Sequence, residues 1–243
     1  MQMDLVQCLR DQYGCSLTYT LLFPMTDYSR TSQTRLKRLP KRGHHDQETI
    51  HAILDEAMVC HLGFVLDEQP CVIPTLLIRE ANSVFIHGSR VSRMLKHLAS
   101  GASACLTVTL LDGLVLARSG FHHSANYRSV VIYGNGVAVD GDRKREILDR
   151  FVESLVPGRL EDIRTATRKE INATTVIEFP LDEVSAKIRS GPPVDDDEDY
   201  DLPVWAGELP MELRPGPPIA DPLLRGDPAV PEYLLNYQRS PKG

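Results

Sequence analysis

The chain has 243 residues, 42% of them hydrophobic and 25% charged, a composition that supports one buried core of roughly 150 residues plus extensions. No segment reaches the ~18 uncharged apolar residues of a spanning helix, and the apolar stretch at 17–25 has neither a basic lead nor a small-residue cleavage site, so a soluble, cytoplasmic protein is expected. The formal net charge is −6, and the five cysteines, odd in number and without CxxC spacing, indicate neither a disulfide framework nor a zinc site.

Residues 1 to about 45 show no clean period, and 1–34 read as an irregular extension. Within 30–42 lies a run of basic residues with no acid, suited either to nucleic acid or to one small phosphate; no aromatic residue interleaves with it, which disfavours a single-strand binding surface. Asp46 is a helix N-cap, with Ile50, Ile53, Leu54, Ala57 and Met58 forming one apolar stripe behind it. From Val59 the period becomes that of strands. Segments 59–66, 71–79 and 84–87 form an antiparallel meander, followed by a helix over 91–100 that Gly101 closes.

Strands at 102–110 and 114–118 are expected to form a hairpin across Leu111-Asp112-Gly113, which has turn chemistry. A polar loop over 120–126 leads into a strand at 128–139, where Gly134 and Gly136 suggest a bulge or a close backbone approach. A helix over 143–156 stops at Pro157-Gly158, and strands at 174–180 and 184–189 complete the pattern. Six or so strands, mostly hairpin-connected, with three helices fit a small closed β-barrel better than a doubly wound sheet. After Ser190, eleven of the seventeen prolines and eleven acidic against four basic residues, a net of −7, mark an extended tail without secondary structure. It also holds Trp205, the single tryptophan, so the segment is expected to dock on the body or on a partner subunit, or to plug an apolar groove.

Two clusters could carry chemistry. The strand ending at His87 runs through Gly88-Ser89 into a helical start bearing Arg90 and Arg93, where backbone N–H groups, a hydroxyl and two guanidinium groups can meet a phosphate. Residues 122–129 form a polar cluster, His122-His123-Ser124-Ala125-Asn126-Tyr127-Arg128-Ser129, suited to positioning a ligand rather than to a catalytic zinc, since no Glu or Cys stands at useful spacing. His61, His87, His122 and His123 offer haem ligation as an alternative to structural hydrogen bonding. Serine-hydrolase, dinucleotide-fingerprint and Walker patterns are absent.

The series Arg38-Leu39-Pro40-Lys41-Arg42, His87-Gly88-Ser89 with Ser92-Arg93, residues 109–119, Asn126-Tyr127-Arg128-Ser129-Val130, Ser185-Ala186-Lys187, Gly191-Pro192-Pro193 and Trp205-Ala206-Gly207 resembles the pyridoxamine 5′-phosphate oxidase-like FMN-binding split-barrel superfamily. More closely, it resembles the branch of flavin-nucleotide-binding proteins related to nitroimidazole-resistance proteins. The resemblance implies a mainly β, six-stranded split barrel over 35–190, an acidic tail over 191–243, and a homodimer holding FMN, with FAD and haem as alternative cofactors. It further implies a flavin ring along Ile73, Pro74, Thr75 and Leu76. His87, Gly88, Ser89, Arg90 and Arg93 would then serve the phosphate end, Tyr127, Arg128 and Ser129 would lie near the site, and Trp205 would approach from the partner subunit. A flavin-dependent oxidoreductase with a small-molecule redox partner follows, and a non-catalytic flavin- or haem-binding module is the alternative. The C-terminal pattern of vitamin B6 oxidation is missing.

Overall fold

Alternating burial organises the chain from its first regular elements onward. In the computed structural model, which describes residues 27–238, a short strand β1 (Gly43–His44) precedes helix α1 (Gln47–Glu56); the Asp46 carboxylate accepts the Thr49 amide at 2.8 Å and caps that helix. The meander follows as β2 (Val59–Leu66), β3 (Gln69–Leu76), β4 (Ile78–Glu80) and β5 (Ser83–Ser89), then α2 (Arg93–Ala99). Two long strands, β6 (Ser103–Leu116) and β7 (Ser124–Asn135), and the short β8 (Val137–Val139) lead to α3 (Gly141–Leu155) and α4 (Arg168–Ala173). Strands β9 (Thr174–Pro180), β10 (Glu183–Arg189) and β11 (Gly207–Pro210) and a four-residue helix α5 (Glu232–Leu235) complete the described residues. Most of the expected irregular extension, residues 1–26, lies outside them.

The strands form two antiparallel sheets, one ordered β1-β10-β7-β6-β2-β3 with β11 also on β6, the other β4-β5-β9-β8. This is a mainly β split barrel rather than the closed barrel expected, since no strand pairing joins the two sheets among the described residues. Its eleven strands among the described residues exceed the expected six because short edge strands extend both sheets. The main core lies between the sheets under α1 and α2, with Ile50, Leu62, Leu98, Leu106, Ile132 and Phe179 at its centre. A second cluster, Ile78, Phe85, Ile147, Phe151 and Val176, lies where α3 covers the outer face of the smaller sheet. Strand β5 thus faces apolar surroundings on both sides, Val84 and Ile86 toward the barrel and Phe85 toward α3; the two-residue period sends His87 to the α3 side as well.

Three sequence expectations change. Leu111-Asp112-Gly113 is not a hairpin turn: β6 runs through it, because both of its halves pair with the long β7 and the irregularity is absorbed as a register shift between Leu111 and Gly113. Strand β7 begins at Ser124 rather than Arg128, so Tyr127, Arg128 and Ser129 are strand residues. The tail is not free of secondary structure, since Gly207–Pro210 pairs with Gly113–Leu116 as β11. The close approach suggested at the glycines is real at Gly136, where a Cβ would lie 2.6 Å from Ile177 Cγ2 and 3.2 Å from Phe179 Cζ.

Candidate functional site

Because β5 presents alternate residues to α3, its C-terminal end opens into a cavity of ≈ 740 Å³ between β5, α3 and the segment leading through α4. Leu148, Phe151, Val152 and Leu155 of α3 form one wall, and Leu160, Ile163 and Ile171 another. Leu76, at the end of β3, reaches the same space. At its edge the Arg164 guanidinium pairs with the Glu170 carboxylate at 2.6 Å, and Glu170 closes a capping box with Thr167 at the start of α4.

His87 is the imidazole in this wall. Its ring meets Phe151 edge-on with centroids 4.2 Å apart, and its Nδ1 is buried with no hydrogen-bond partner among the described residues. Burial pushes its pKa below the ordinary value of 6.5, so the ring is neutral and keeps a lone pair. An unsatisfied buried nitrogen is costly; with Nδ1 closed off by packing, the nitrogen left to meet a ligand in the cavity is Nε2.

The rest of the expected phosphate segment lies at and just past the strand end, with Ser89, Arg90 and Arg93 exposed. The Ser89 hydroxyl accepts the Val91 amide at 3.4 Å, and the Ser92 hydroxyl caps α2 through the Leu95 amide at 3.4 Å. Arg90 is held by its backbone, its amide donating to the Ala173 carbonyl at 2.9 Å. Among the described residues no carboxylate pairs with the side chain of Arg90 or Arg93, both of which are exposed. At Gly88 a Cβ would come 3.0 Å from Leu95 Cδ1, which ties the strand closely to α2. Ile73, Pro74 and Thr75 lie on β3, the edge of the larger sheet, whose outer backbone groups are therefore available to a ligand. The structure brings the β3 and β5 segments together at Leu76 and His87.

Tyr127, Arg128 and Ser129 do not line this cavity. The Arg128 guanidinium is clamped between Glu56 at the end of α1, 2.8 Å from Nη2 to Oε1, and Asp112 in the irregularity of β6, 2.7 Å from Nη2 to Oδ1. The bonds to Glu56 and then to Asp112 hold its pKa well above the usual arginine value. The Ser129 hydroxyl donates to the Lys187 carbonyl at 3.2 Å, and the Lys187 ammonium lies 5.8 Å from the centre of the Tyr127 ring. His122 pairs with Asp196 at 3.2 Å, and His123 bonds the Ser119 carbonyl at 2.8 Å. No group of three His, Cys, Asp or Glu residues able to hold a metal ion occurs among the described residues.

Trp205 is 69% exposed, with its indole folded back over Gly207. The tail around it is docked nonetheless. The covered Asp195 carboxylate accepts from the Arg118 amide and guanidinium, each at 3.0 Å, and Arg118 lies over the Tyr200 ring at 4.8 Å. Arg189 donates to Asn126 and to the carbonyls of Gly191 and Pro192, while Asn126 donates to Glu208. Sequence reading missed the cavity wall, since Leu148, Phe151, Val152 and Leu155 form an apolar stripe on a helix to which it gave no role, and α4 carried too short a pattern to be seen.

The family description "Pyridoxamine 5′-phosphate oxidase" matches residues 46–188. No curated protein matches the chain. Among solved structures, the flavocytochrome Anf3 from Azotobacter vinelandii is 40% identical over 86% of this chain and 97% of its own, with a TM-score of 0.80. The FAD and haem binding protein from Mycobacterium smegmatis is 34% identical over 80% and 96%, with a TM-score of 0.77. A Bacteroides thetaiotaomicron protein described as a candidate 5-nitroimidazole antibiotic resistance protein shares the fold at 20% identity over 60% and 86%, with a TM-score of 0.51. With more than half its length matched by one family, and two relatives above 30% identity aligned almost end to end, the chain belongs to the pyridoxamine 5′-phosphate oxidase family.

Proposed function

We propose that this protein is a flavin-binding redox protein that also holds haem, with His87 as the haem ligand. The observation that carries this reading is the neutral imidazole of His87, its pKa lowered by burial, in the wall of a largely apolar cavity of ≈ 740 Å³. Two relatives support it, one named a flavocytochrome and the other an FAD and haem binding protein. The second, named for FAD, favours FAD over FMN as the flavin. When bound, the flavin and the haem iron supply electron transfer.

The chain's own residues then have distinct tasks. Arg90 and Arg93, without carboxylate partners among the described residues, and the Ser89 hydroxyl bind the flavin phosphates. The edge-strand groups of Ile73, Pro74 and Thr75 orient the ring. Phe151 and the α3 leucines exclude water from His87 and fix its ring. Arg164 at the cavity edge can release Glu170 and accept an acidic substituent of the bound ligand.

A second copy of the chain completes the flavin site in this reading. Val59, Val65, Val72 and Leu76 of the β2–β3 hairpin are exposed apolar residues, and isologous packing of two such surfaces would cover a flat ring on each. Trp205 then approaches from the other copy. A small-molecule donor or acceptor is the redox partner.

The test is the absorbance of full-length protein reconstituted with FAD and haemin. Flavin bands and a Soret band are expected together, with His87→Ala losing the Soret band and keeping the flavin bands. A wild-type protein without a Soret band, or a variant that retains it in full, would sink the haem assignment. Reduction by a nicotinamide nucleotide and reoxidation by an acceptor tests turnover, and failure of both with flavin bound would leave a binding module.

A further inference from the structure

We infer that the C-terminal segment around α5 is a clasp that holds the outer wall of the His87 cavity shut and sets how fast a large ligand enters and leaves. The inference rests on the reading of that cavity as a ligand site and concerns its regulation.

The wall in question is the stretch between α3 and α4. A single 3-10 turn, Arg159–Glu161, is its only regular structure, yet it contributes Leu160, Ile163 and Arg164 to the cavity lining. Its own attachments at the α4 end are polar, Arg164 to Glu170 at 2.6 Å and Arg145 to the Ala166 carbonyl at 3.2 Å. Such a segment opens at little cost unless something restrains it from outside.

The restraint comes from residues more than seventy positions away in the chain. The Tyr233 hydroxyl accepts from Arg159 Nη1 at 2.9 Å and donates to Asp162. Its ring covers Gly158, whose φ of +85° turns the chain out of α3. The Tyr237 hydroxyl donates to the Leu155 carbonyl at 2.7 Å, at the last turn of α3. Both tyrosines therefore grip the two ends of the turn that carries Leu160.

The grip is built to release. Helix α5 has four residues, none of them buried, and Leu235 is exposed. It is joined to β11 by residues 211–230, all exposed, so it can leave the wall without disturbing the barrel. Three hydroxyl bonds and one ring contact close the wall, each of the modest strength expected for partly exposed groups.

The experiment uses the full-length protein loaded with FAD and haemin, comparing wild type with the double variant Tyr233→Phe, Tyr237→Phe. Haemin transfer to excess apomyoglobin is followed at the Soret band, and flavin loss in the same samples by fluorescence. Haemin should leave the variant about tenfold faster or more, with flavin loss unchanged. Haemin rates within twofold of wild type would overturn the clasp. If wild type binds no haemin, the haem reading fails separately, and the clasp is judged by hydrogen exchange of residues 156–166. Exchange should then be about tenfold faster in the variant, and equal exchange would overturn it.

Discussion

Replacing Arg128 by Met distinguishes a ligand residue from a structural one. The guanidinium spans two carboxylates on separate elements, Glu56 on α1 and Asp112 on β6, with side-chain exposures of 30%, 27% and 34% in that order. A charge-assisted hydrogen bond contributes roughly 1.5–3 kcal/mol when shielded, and exposure near a third moves each pair toward the lower end, about 1 kcal/mol. Removing the cation also leaves two carboxylates close together without compensation, so the total loss should be about 2–3 kcal/mol. At about 2–4 °C per kcal/mol for a chain of this size, Tm should fall by roughly 4–12 °C. Thermal and urea unfolding of the apoprotein, with flavin affinity measured on the same samples, make the assay. The double variant with Glu56→Gln should show a coupling of about 1 kcal/mol. A Tm within 1 °C or so of wild type together with a large loss of flavin would refute the clamp and return Arg128 to the binding site.

Arg93→Ala should weaken FAD and FMN about tenfold or more and riboflavin little, because a charge-assisted bond to phosphate is lost and riboflavin has none; equal weakening of all three would remove the phosphate role. Burial lowers the pKa of His45, His51 and His87 below their ordinary 6.5. The unfolded chain therefore takes up protons first, and stability, complete above pH 6.5, should decline as pH falls from there toward the lowered values. A urea midpoint that rises between pH 7 and 5.5 would contradict this sign. The Cys60 thiol, pushed up to about 12 by burial, should resist alkylation until the protein unfolds, whereas the half-buried Cys71 reacts in the native state; mass spectrometry of the labelled peptides decides.

What the sequence alone determined was local and periodic. The helix behind Asp46, the strand period from Val59, and the strands ending at Pro180 and Arg189 follow from side-chain alternation and capping, which need only neighbours in the chain. Short motifs in a constant order indicated the family, and the unusual composition after Ser190 marked the tail. Where a choice depended on what packs against a segment, the sequence was silent or misleading. Leu111-Asp112-Gly113 has turn chemistry, yet pairing of β6 to β7 along both halves outweighs it. Arg128 reads as a ligand residue in a polar cluster, and only the fold brings Glu56, 72 positions away, and Asp112, 16 positions away, to it.

His87 shows the same division from the other side. Its place at the end of a strand was legible, but the burial of Nδ1 depends on α3 arriving some sixty residues later to set Phe151 against the ring. The cavity around it is a property of four separated elements, β3, β5, α3 and the stretch into α4, none apolar enough alone to announce a ligand. The tail's two tyrosines carry no local signal either, since a phenol becomes a clasp only when the fold places Leu155, Arg159 and Asp162 within reach of its hydroxyl. Periodicity reports which face of an element is buried; the identity of what buries it, and hence whether a polar atom there is satisfied, is a tertiary fact.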